Sequence, residues 1–118
     1  MEMKQHIDSI KKTLAGDGIG AKVIDQLKEL RDWFKANREE PGYVKMIRLA
    51  YENIEENNDY TFLYLEEEDG KGNLEYLIDL LADYDNKYNK EELQDIKNLM
   101  LGIEPEEEED EDQPEVAE

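Results

Sequence analysis

The sequence predicts an all-α protein, a small helical bundle of about five helices with a disordered acidic C-terminal tail. Three observations predict it. Apolar residues recur at three- and four-residue spacing in successive runs, Gly, Pro and Asn punctuate the gaps, and everything after Ile103 is almost pure acid. The 118 residues fit one domain spanning Met1 to Ile103, and residues 104–118 form the tail. With 38% hydrophobic and 40% charged residues, burial must be confined to narrow helix stripes.

The first helix runs from Lys4 to about Leu14, with Ile7, Ile10 and Leu14 on one stripe. Gly16, Asp17, Gly18, Ile19 and Gly20 end it, because three glycines in five positions favour a turn. Val23, Ile24, Leu27, Leu30 and Phe34 define a second helix closing near Asn37, with Trp33 and Phe34 expected to pack between the first helices. Pro41 suits the first turn of a third helix, whose core face is Tyr43, Val44, Ile47, Ala50, Tyr51 and Ile54 and whose end falls at Asn57 and Asn58.

Tyr60 to Leu65 has strand-like composition but no second run to pair with, so a short helix is expected, the alternative being a strand paired with a second copy in a homodimer. Gly70 and Gly72 then read as a turn, with Asn73 capping a helix that buries Leu74, Leu77, Ile78, Leu81 and Tyr84. Asn89 and Glu92, three apart, suggest a capping box for a last helix burying Leu93, Ile96 and Leu99 or Met100 and stopping at Gly102. The tail, with Pro105 and Pro114 among its acids, is too charged and too poor in apolar groups to fold alone.

Composition narrows the functional classes. Without cysteine there is no disulfide framework or thiolate metal site, and no apolar run approaches a signal-peptide core or the roughly 20 residues of a membrane span. A cytoplasmic protein is expected, neither inserted in a membrane nor binding nucleic acid directly, because a formal charge of −19 repels polyanions. The charge is two-sided: residues 1–50 hold 10 Lys and Arg against 8 Asp and Glu, and residues 51–103 hold 4 against 15.

No catalytic or cofactor signature emerges, so a non-enzyme without cofactor is expected. His6 and Ser9 share a helix face but lack an orienting acid, and the Gly16, Gly18, Gly20, Lys22 pattern departs from every phosphate-binding fingerprint. Asp83, Asp85, Asn89 and Glu92 stand at positions 3, 5, 9 and 12 of a stretch that resembles an EF-hand calcium loop, with Leu81 and Asn86 in place of its usual Asp and Gly. These four form a weak metal candidate. The competing reading is that Asp85 and Asn86 end one helix while Asn89 caps the next.

The acids of the second half carry the strongest functional signal. Glu75, Asp79 and Asp83 are spaced by four, stacking about 6 Å apart on a helix face with no base between them. On the third helix Lys45 and Arg48 come early and Glu52, Glu55, Glu56 and Asp59 late, against the macrodipole preference, with Arg48 and Glu52 the one helpful pair. Glu66, Glu67, Glu68 and Asp69 form a third group, and all seven tyrosines, Tyr43 to Tyr88, lie among these acids.

This pattern favours a binding protein that presents carboxylates to a basic protein surface. In its sharpest form it is a nucleic-acid mimic whose carboxylates replace backbone phosphates in the groove of a nucleic-acid-binding enzyme. Length, helicity and acidity resemble those of phage-encoded DNA-mimic inhibitors of host restriction; no motif is shared, and the resemblance implies blockade of a defence nuclease. Two rivals are an interaction module or complex subunit docking through Tyr60 to Leu65, its tail solubilising it or folding back on the basic helices, and a weak divalent-cation binder.

Overall fold

A computed structural model describes residues 2–37 and 41–103; the expected tail, 104–118, lies outside them. Five helices are found, α1 (Met3–Gly16), α2 (Ala21–Ala36), α3 (Pro41–Asn57), α4 (Gly70–Ala82) and α5 (Lys87–Leu101), with no strand among the described residues. The all-α class is therefore established. No helix among those residues is long and apolar enough to cross a membrane.

Each helix packs chiefly on two others. The pairs α1–α2, α2–α3, α3–α5, α5–α4 and α4–α1 close a ring, so a single core forms where the five apolar stripes meet. That core contains Ile7, Ile10 and Leu14 of α1, Val23, Leu27, Leu30 and Phe34 of α2, and Ile47, Ala50 and Ile54 of α3. Leu74, Leu77, Ile78 and Leu81 of α4 meet Leu93, Ile96 and Met100 of α5 across it. Burying one such aliphatic side chain contributes about 1.5–3 kcal/mol, which is how a lean composition still holds a fold.

Local chemistry sets most boundaries as expected. Pro41 opens α3 and Asn58, at φ 59°, follows its last turn. Gly102 takes the left-handed conformation at φ 76°, and the Ile103 N–H donates back to the Asn98 carbonyl at 2.8 Å, which turns the chain off the axis of α5. Leu99 is 40% exposed and Met100 buried, which resolves that pair of candidates.

Three expectations are corrected. Tyr60 to Leu65 is neither a helix nor a strand but an irregular segment that bends at Tyr64 and Leu65, where the Tyr64 N–H donates to the Phe62 carbonyl at 3.0 Å. Its backbone is held by side-chain amides instead of a ladder: Asn53 Oδ1 accepts from the Thr61 N–H at 2.7 Å, and Asn73 Oδ1 accepts from the Leu65 N–H at 2.6 Å.

Asn73 does not cap α4. It is 2% exposed inside the helix, and its Nδ2 donates to the carbonyls of Leu65, Glu68 and Asp69 at 3.0, 3.2 and 3.0 Å. The cap is Asp69, whose Oδ1 accepts from the Gly72 N–H at 2.8 Å, so Gly70 and Gly72 belong to the first helical turn.

Asn89 likewise lies within α5. Asn86 is the cap, accepting from the Asn89 N–H at 3.2 Å, while Asn89 Nδ2 reaches back to the carbonyls of Asp83 and Leu80 at 3.1 and 3.4 Å. Phe34 also packs more widely than expected: besides Trp33 it meets Tyr43 and Tyr84 edge-on, at 6.2 and 5.6 Å between ring centroids.

Candidate functional site

The predicted acids fall into three groups with different electrical surroundings. On α3, Glu52 is held by Arg48 Nη1 at 3.1 and 3.2 Å and Glu55 by Lys28 Nζ at 3.3 Å. Lys28 also stands 5.3 Å from the centroid of the Tyr51 ring, one turn before Glu55, so it stitches α2 to α3. Glu56 is exposed and takes part in no ion pair among the described residues.

On α4 the expected uninterrupted stripe is broken in two ways. Lys11 of α1 reaches across to Asp79 at 2.7 Å, and hydrogen bonding and attraction to that carboxylate raise the lysine pKa above its ordinary value. Asp83 lies past the helix end, at φ −135° and ψ 56°, so it no longer stacks in register with Glu75 and Asp79. The missing base was nonlocal, and no i to i+4 argument could have supplied it.

The third group gathers at the start of α4. Asp59 Oδ1 accepts from the Tyr60 N–H at 2.9 Å, and both the Asp59 carboxylate and the Tyr60 carbonyl lie against Gly70. Glu66, Glu67, Glu68 and Asp69 follow in a turn that closes with Glu68 N–H on the Leu65 carbonyl at 3.0 Å. All five acids are exposed and none is in an ion pair among the described residues. Of the three groups, this one is brought together as a single unneutralised surface.

A cluster that sequence reasoning missed joins this surface to α5. Tyr64 and Tyr76 stack at 6.2 Å with 11° between planes, Tyr76 donates to Glu92 Oε1 at 2.6 Å, and Tyr64 donates to Asp95 Oδ2 at 3.5 Å. Burial, then the nearby Glu92 and Asp95 carboxylates, push Tyr64 up to about 12. Tyr76 is raised too, first by burial and then by its bond to Glu92. Only the interleaving of tyrosines with acids hinted at it, since the partners are 16 and 31 residues apart.

The two other expected surfaces look different in three dimensions. Within Tyr60 to Leu65, Tyr60 is 1% exposed and packs edge-on to Phe62, and Leu63 is the one large apolar side chain left exposed. The segment buries Tyr60 in this molecule's own core and packs Phe62 and Tyr64 half-buried against it. Of the EF-hand-like stretch, residues 87–92 are helical and Glu92 is engaged by Tyr76. Among the described residues no group of three or more His, Cys, Asp or Glu converges as a metal site requires.

Compared with protein-family models, curated proteins and solved structures, the chain matches none. Its function must be argued from its own residues.

Proposed function

We propose that this protein is a non-enzymatic acidic binder that acts as a nucleic-acid mimic, seating its carboxylates in the cationic groove of a nucleic-acid-binding protein such as a defence nuclease. The observation that carries this reading is the surface at the start of α4, where Asp59, Glu66, Glu67, Glu68 and Asp69 stand exposed with no base on any of them among the described residues. Glu75 continues it one turn into α4, whereas Asp83 lies past the far end of that 13-residue helix, roughly 20 Å away. Lys11 quenches Asp79 and moves the centre of the footprint away from the middle of that helix.

Carboxylates held on backbone-anchored turns can replace phosphates because a groove lined by Lys and Arg reads them mainly as charge. Affinity would then rest on electrostatics and fall steeply with salt. An apolar docking surface would respond weakly.

The test is affinity capture on the immobilised full chain at low and high ionic strength, followed by elution with duplex DNA. Retention of a nucleic-acid-binding protein that DNA displaces, and loss of that retention when Glu66, Glu67 and Glu68 are changed together to Lys, is the expected result. Capture that survives both high salt and the triple charge reversal would refute the mimic.

A further inference from the structure

The molecule is acidic overall, yet one cleft on it has the opposite sign. Between the first turn of α3 and the exposed side of α5 lies a cleft of about 180 Å³ lined by Gly42, Tyr43, Met46, Lys90, Leu93, Gln94 and Lys97. Lys90, Gln94 and Lys97 follow one another at helical spacing, so the two ammonium groups lie along one edge. Gly42 supplies the space for the second: a Cβ there would be 3.0 Å from Lys97 Nζ.

Electrostatically this is an odd place for lysines. The start of a helix carries the positive end of its dipole, and a cation beside it is unfavourable. Neither Lys90 nor Lys97 takes part in an ion pair among the described residues, although Asp and Glu outnumber Lys and Arg by 33 to 14 in the chain. Two lysines and a helix start thus converge on a cleft with an apolar floor of Met46 and Leu93.

We infer that this cleft is the docking site of the chain's own acidic tail, residues 104–118. The charge fits, because the tail holds ten acids and no base. The reach fits as well. Lys97 and Lys90 lie six and thirteen residues before Ile103 on the helix from which the tail departs, roughly 9 and 20 Å back along its axis. Fifteen residues of random-coil dimensions would have a root-mean-square span of ~20 Å, which sets an effective concentration at the cleft on the order of millimolar. At Gly102 the chain already turns off the helix axis. The tail's ten acids outnumber the two lysines and neutralise the basic edge of the cleft. This inference does not depend on the mimic reading.

The absence of cysteine makes the test direct. A spin label on Gln113→Cys in the full chain, labelled with nitrogen-15, should weaken the amide signals of Gly42, Lys90, Gln94 and Lys97 several-fold. Signals of Ile19 and Gly20 should be spared, since they line a cavity with Ile54 and Asn58 at the other end of α3, which is ~25 Å long. The weakening should vanish in about 1 M salt, where charges are screened beyond ~3 Å. It should also vanish in the variant Lys90→Glu/Lys97→Glu, with helicity checked by circular dichroism.

Replacing Glu106, Glu107, Glu108 and Glu109 by Gln leaves every helix untouched and should release the tail in the same way. Weakening spread evenly over the molecule, or weakening that persists in both variants, overturns the inference. Weakening seen only when spin-labelled unenriched chains are mixed with unlabelled enriched ones would show a second copy's tail in the cleft and would equally overturn it.

Discussion

The first turns of α3 and α4 present the same backbone dipole, and among the described residues the charged side chains beside them are of opposite sign. At α4, Asp69 caps the helix, Asp59 lies against its first residue, and the buried amide of Asn73 ties the preceding turn down. At α3, Lys97 lies over Gly42 and Lys90 lines the same cleft. The first arrangement is what folding energetics alone would choose. The second works against them, and it is explained by an anion that the cleft is built to receive. At α4 the acids at the helix start stabilise the fold as well as facing outward, whereas the two lysines beside α3 bring the fold no such gain.

Asn73→Ala should break the comparison most severely. It removes the acceptor of the Leu65 N–H and the donor to three carbonyls, so a loss of about 3 kcal/mol is expected, read as a fall in the urea midpoint. A loss below about 1 kcal/mol would mean that water replaces these bonds cheaply.

The paired substitutions Gly70→Ala and Gly42→Ala sharpen the contrast, because the same methyl group is added to the first turn of each helix. At Gly70 it would strike the Tyr60 carbonyl and the Asp59 carboxylate, so a cost of about 2 kcal/mol is expected. At Gly42 its one near neighbour is the flexible end of Lys97, which can swing aside, and the change in stability should stay within about 0.5 kcal/mol. Equal effects at both sites would remove the distinction.

The smallest effect concerns pH. Tyr64 and Tyr76 ionise higher in the folded chain than the ordinary tyrosine value near 10. Above pH 10 the unfolded chain loses these protons first, so stability should be level below that point and fall as the pH rises toward about 12. Urea midpoints between pH 9 and pH 11 check this, and Tyr64→Phe should flatten part of the slope.

How much of this was legible in the sequence follows from the range of the interactions. Helix periodicity is local, so the stripes Ile7, Ile10, Leu14 and Leu74, Leu77, Ile78, Leu81 were legible, as were the stops at Gly16–Gly20 and Gly102. Caps were ambiguous, because Asp69 and Asn73, or Asn86 and Asn89, offer the same chemistry three or four residues apart. Gly70 and Gly72 read as helix breakers, although at Gly70 the missing side chain is what admits the Tyr60 carbonyl. The candidate site suffered most, since Lys11 on Asp79, Lys28 on Glu55 and Lys97 over Gly42 all join residues far apart in the chain. Charge counting locates an excess without saying which carboxylates have already been answered.

Asn73 has one more consequence, for how the molecule meets a partner. Because its amide grips the backbone at Leu65, Glu68 and Asp69, the glutamates between them are mounted on a pedestal set during folding. A display stiffened in advance has little backbone freedom left to surrender on encounter, so weak individual attractions can add up to durable capture.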